Sequence, residues 1–161
     1  MEKFSIRKAT INDIEQLTKM RIAYLKEDLG ENSIKDEENF KKIVSDFLRQ
    51  HLNKDLDAFV LVVDGKIIST SFTAYYYRLP HPEFPHGKAG VPINGYTKPG
   101  FRKRGFASAL LKFSAEYAKE VGIELLNMEV TESGLIASKK IGFNEIEYVP
   151  VQLILTKNNI L

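Results

Sequence analysis

The residues with the clearest chemical potential are Arg102-Lys103-Arg104-Gly105, which stand where an apolar-periodic run from Phe106 to Val121 begins. A helix start exposes N–H groups without acceptors and the positive end of the macrodipole, so clustered cations there call for a compensating anion. Gly105 lets the backbone approach a ligand with no Cβ in the way, and Ala107 keeps the first helical turn slim. A strand ending at Thr97, a turn at Pro99-Gly100 and a helix opening near Gly105 together form a phosphate cradle. Pyrophosphate is the simplest anion for such a cradle.

Other chemistries are disfavoured. Gly95 to Gly100 has the spacing of a Walker A loop, but Phe101-Arg102 stands where Lys-Ser/Thr is required. No G-x-G-x-x-G occurs, which argues against a dinucleotide fold. With no cysteine there is no disulfide frame and no thiolate nucleophile. His81, Glu83 and His86 lie in a proline-rich loop without rigid ligand spacing, so no metal is assigned. A net charge of +2 in 161 residues gives too small an electrostatic footprint for a nucleic-acid partner. No apolar run reaches the length of a membrane span and no signal-peptide pattern opens the chain, so the expected location is cytoplasmic.

The elements that must position the cradle can be read in order. Phe4 to Ala9 reads as a first strand, and Thr10 with Asp13 resembles a capping box before an apolar-periodic helix. A second helix is expected over Asp36 to Leu52, with Phe40, Ile43, Val44, Phe47 and Leu48 on one face. Two apolar strands flank Asp64-Gly65, the dipeptide of a type I′ turn. Arg78 to Gly90 reads as a loop serving a site, and the strand VPINGYT follows, its Gly95 suggesting a bulge. After the Gly105–Val121 helix come a strand, IELLNMEV, a short helix, SGLIASKK, and an expected antiparallel pair, FNEIEYV and VQLILT. The order β-α-α-β-β-β-α-β-α-β-β describes a single α+β domain, residues 1–161, with one mixed, mostly antiparallel sheet flanked by helices. Its long helix after the fourth strand demands a parallel crossover to the fifth.

TKPGFRKRGFA resembles motif A of the GCN5-related N-acetyltransferases, [R/Q]-x-x-G-x-[G/A], and SGLIASKKIGF is similar to that family's later K-x-G-F segment. The element order is also that of the family. The resemblance implies an acyl-CoA N-acyltransferase fold that binds acetyl-CoA between splayed fourth and fifth strands. The backbone amides of Arg104, Gly105, Phe106 and Ala107 would hold the pyrophosphate under the positive charge of Arg102, Lys103 and Arg104, Tyr96 and Thr97 would pair with the pantetheine, and Asn127 would add a contact. It further implies transfer of the acetyl group to a primary amine, on a small molecule or a peptide. A homodimer is an assembly state the family often uses.

The pattern departs from the family at one position. Many members carry a tyrosine, the general acid toward the departing thiolate, where this chain has Ser138. Ser138 or a water can fill that role, or Tyr148 can reach across; a catalytically weak acyl-CoA-binding or sensor domain is the alternative. Glu129 is a candidate general base, as are Glu132, Glu83, His81 and His86, and no spacing singles one out. A phosphate-binding module unrelated to CoA is the third reading.

Overall fold

The computed structural model describes residues 4–155. Its sheet holds five strands in sequence order: β1 (Phe4–Lys8), β2 (Leu56–Val63), β3 (Lys66–Tyr77), β4 (Lys88–Thr97) and β5 (Leu125–Leu126). The first three pairings are antiparallel, and β4 pairs with β5 in parallel, as the crossover helix requires. Asp64 and Gly65 both take positive φ, 47° and 75°, which is the type I′ turn read from the sequence.

Four helices cover this sheet: α1 (Ile14–Leu29), α2 (Glu37–His51), α3 (Phe106–Glu120) and α4 (Glu132–Lys139). Ahead of α1, a short 3-10 turn is fixed by the Asp13 carboxylate, which accepts the Thr10 N–H at 2.8 Å and two bonds from Arg7. Strand β2 is buried on both faces because alternate residues meet different helices. Ala58 and Val60 pack with Ile14, Leu17 and Leu48 of α1 and α2. Phe59, Leu61 and Val63 pack with Phe106 and Leu110 of α3. A polar network stiffens the same region, Asp57 pairing with Lys8 at 2.7 Å and accepting the Tyr75 hydroxyl at 3.0 Å.

Several expectations need correction. The loop after β3 ends at Gly87, and Lys88, Ala89 and Gly90 belong to β4. That loop is tied down, since the His86 N–H and ring Nδ1 both meet the Glu124 carboxylate. On α2 only Leu48 is buried, while Ile43 and Phe47 stay exposed, so the apolar face is only partly covered. Val121 lies beyond α3 and is exposed, while Phe113 and Tyr117 pack only partly buried. IELLNMEV contributes just two residues to the sheet.

The expected closing pair of strands is absent from residues 143–155, which form no regular element and leave Tyr148, Val151 and Leu155 exposed. Thr156, the end of that expected pair, lies outside the described residues. A strand needs an edge to pair with, but β5 offers two residues, and Pro150 removes a donor from the segment itself. No helix among the described residues is long and apolar enough to cross a membrane.

Candidate active site

The site begins with a divergence inside the sheet. β5 follows β4 only at Ala89↔Leu125 and Gly90↔Leu126, and one further bond joins the Asn127 N–H to the Gly90 carbonyl at 3.0 Å. Gly90 makes this approach feasible, since a Cβ there would lie 2.9 Å from Leu126 Cδ2 and 3.1 Å from Thr73 Cγ2. Beyond that vertex, residues 91–97 of β4 pair with β3 alone. The Lys98 N–H is spent on the Ile68 carbonyl, so strand alternation turns the Thr97 N–H toward the opening.

A bulge widens the gap. Ile93 stands opposite Phe72 and Tyr96 opposite Thr70, which leaves Asn94 and Gly95 both facing Ser71. The sequence pointed to Gly95, but the residue in the left-handed region is Asn94, at φ 54°. Asparagine tolerates that conformation better than most residues.

At the open end of β4, Pro99–Phe101 form a 3-10 turn and α3 starts from Gly105, whose φ of 79° is left-handed. Lys103 is left-handed too, at 61°. Left-handed residues in such a run turn successive N–H groups into a concavity, the backbone nest that takes anions. The α3 ladder begins when the Ala109 N–H meets the Gly105 carbonyl at 3.0 Å, so the N–H groups of Gly105 to Ser108 precede it. A Cβ on Gly105 would meet nothing within 4 Å, because it would point into open space. Gly105 also lines a cleft of about 490 Å³, walled by Tyr96, Thr97, Lys103, Phe106 and Ala107 among others.

The charges are arranged differently from the expectation. Arg102 lines the cleft but turns back, donating from Nε to the Thr97 carbonyl at 2.7 Å and from Nη2 to Glu27 of α1 at 2.6 Å. The bond to Glu27 raises the Arg102 pKa, and the same bond holds the Glu27 carboxyl below its ordinary value. Glu27 is therefore part of the compensation that Arg102 required. Arg104 lies over the Phe101 ring and donates to the Gly100 carbonyl. Lys103 and the opening residues of α3 line the cleft.

A sequence model of the acetyltransferase (GNAT) family matches residues 22–141. The chain belongs to the GNAT family. A predicted acetyltransferase from Clostridium acetobutylicum, solved with acetyl-CoA, is 26% identical and superposes with a TM-score of 0.75, covering 93% of this chain and 96% of that one. A GCN5-related N-acetyltransferase from Ralstonia eutropha JMP134 is 21% identical, with a TM-score of 0.75 and coverage of 94% and 99%. Glucosamine-6-phosphate N-acetyltransferase from Arabidopsis thaliana is 19% identical, with a TM-score of 0.71 and coverage of 96% and 100%. No curated protein matches the chain.

Within this GNAT cleft the sequence-derived cofactor residues Tyr96, Thr97, Arg102, Lys103, Gly105, Phe106 and Ala107 come together. Asn127 sits instead at the vertex, through its backbone. The catalytic candidates do not converge on the cleft. Ser138 is fully buried and its hydroxyl donates to the Leu135 carbonyl at 3.0 Å, so that group is spent inside its own helix. Tyr148 is exposed on the irregular C-terminal segment, and Glu129 is exposed just past β5. Sequence reasoning missed Tyr24 and Glu27 of α1 and Ser133 and Ala137 of α4, which also wall the cleft. The α1 pair sits on an ordinary amphipathic helix, and only the packing of that helix across the end of β4 reveals it.

Proposed function

We propose that this GNAT protein moves an acetyl group from acetyl-CoA to a primary amine by direct attack, without an acyl-enzyme. The observation that carries the reading is the pair of left-handed residues, Lys103 and Gly105, opening α3 beside a strand edge freed at Gly90. The residues fit the cofactor: a donor-rich nest suits a pyrophosphate, and the free edge of β4 suits an amide-bearing chain. Acetyl-CoA, when bound, supplies an activated thioester carbonyl. The N–H groups of Gly105 to Ser108 hold phosphate oxygens, and the Thr97 N–H and carbonyl hold the pantetheine. A carbonyl oxygen has two lone pairs, so the Arg102 bond to Thr97 leaves one for that purpose. An alkyl thiol has a pKa near about 8.5, so its thiolate leaves without a dedicated acid, though more slowly.

The spent hydroxyl of Ser138 supports a second reading, a CoA-binding domain with weak catalysis. Thermal melts with acetyl-CoA, CoA and ATP test the binding both readings need. Ligand at a hundred times its Kd adds about 2.7 kcal/mol, or roughly 5–11 °C for a domain of this size. The expected result is a shift with both CoA species, none with ATP, and loss of the shift in Gly105→Glu. No shift with CoA overturns both readings. CoA release from an amine panel then separates them, since an enzyme turns over at about 1 s⁻¹ or faster.

A further inference from the structure

Arg21 occupies an unusual place on α1. It donates from Nη1 to Asn94 Oδ1 at 2.6 Å, reaching the bulge of β4, and its guanidinium lies 5.4 Å from the centroid of the Tyr24 ring. It is half-buried, yet no carboxylate stands within ion-pair distance of it among the described residues. Burial lowers its pKa, and Asp28 and Tyr24 act on it only at longer range.

The hydrogen-bond count at this spot is one-sided. A guanidinium carries five N–H donors and no acceptor, so its bond fixes which end of the Asn94 amide is oxygen. Asn94 Nδ2 therefore faces the other way, and it is buried without a partner. One turn earlier on α1, the buried Thr18 hydroxyl is also without a partner. Buried donors left unpaired cost free energy, and the Asn94 amide lies in the bulge next to Gly95 and Tyr96, which wall the cleft.

We propose that Arg21 and Asn94 form an anion subsite for the acceptor, and that the acceptor is an amine that also carries a carboxylate. This rests on the acetyl-transfer reading above. A planar guanidinium matches the two oxygens of a carboxylate, and Asn94 Oδ1 holds the Arg21 guanidinium at the bulge to receive it. The carboxylate end then sits at the bulge, and the amine reaches along the open edge of β4.

Matched acceptors test this: lysine against cadaverine, ornithine against putrescine, and phosphoethanolamine as the phosphate arm, all read by CoA release. The expected result is at least a ten-fold higher kcat/KM for the carboxylate member of each pair, carried by KM. Arg21→Gln should collapse that ratio toward one, and Arg21→Lys should restore part of it, with melts verifying that both variants fold. Turnover without the preference, a preference that survives Arg21→Gln, or a larger preference for phosphoethanolamine overturns the carboxylate subsite and leaves acetyl transfer standing. Absence of an acetyl-CoA shift in the wild type overturns both.

Discussion

The two halves of β4 share one backbone and one partner in β3, yet they behave as different structures. Lys88 to Gly90 are flanked on both sides, by β3 and by β5, and Gly90 has no room for a side chain. Residues 91–97 keep β3 but lose β5, carry a bulge at Asn94-Gly95, and give one edge to the cleft. Two glycines five residues apart mark the contrast. At Gly90 a Cβ would collide, whereas at Gly95 nothing lies within 4 Å. The lesson is that a binding edge can be made from an ordinary sheet by ending a single pairing early.

Substitution at the crowded position should produce the largest effect. Gly90→Val should destabilise the fold by about 3 kcal/mol, because overpacking against Leu126, Thr73 and Tyr75 cannot relax without separating β5. Urea unfolding measures it, and a change under about 0.5 kcal/mol would mean the vertex is not tightly packed. Gly95→Ala is the matched experiment on the open half. Stability should hold or rise by up to about 1 kcal/mol, while affinity for CoA falls, since the added methyl stands in the cleft wall. Calorimetric titration of both variants separates packing from binding.

A subtler difference should appear in hydrogen exchange. The Thr97 amide faces the opening and should exchange faster than that of Lys98, which is bonded to Ile68, and acetyl-CoA should slow it selectively. Equal protection at both sites without ligand would contradict the open edge. The smallest effect lies far from the cleft, at Asp13. Arg7 holds its carboxyl below the ordinary value. Its stabilising contribution is therefore complete above about pH 4 and disappears as pH falls through the lowered folded value. Asp13→Asn should flatten that part of the acid limb in melts at stepped pH and leave the CoA shift in place.

How much of this was legible before the structure depended on whether the information was local. Asp64-Gly65 encodes its turn outright, and Pro99-Gly100 with Gly105 encodes the start of α3. The bulge was visible through Gly95, though the left-handed residue is its neighbour. Gly90 was not legible, because it follows a proline-rich loop and its reason for being glycine is a leucine 36 residues away. Ser138 illustrates the same limit at the site. A motif places it by analogy near the chemistry, while its own helix takes its hydroxyl. The apolar FNEIEYV and VQLILT read as strands, but strand pattern cannot create the partner edge that strands need.

The brevity of β5 carries a consequence for how the molecule opens. Beyond α3, the described residues up to Leu155 meet the sheet through the two-pair ladder of β5, the bonds of Glu124 and Asn127 beside it, and limited packing of α4 against α3. So few ties should make residues 122–155 open at a lower free energy than the β1–β4 meander, which hydrogen exchange would measure. A ligand touching both Ala107 of α3 and Ala137 of α4 would clamp this unit shut. Protease cutting between β5 and α4 then becomes a gauge of occupancy: frequent in the free protein, and suppressed when the cleft is filled.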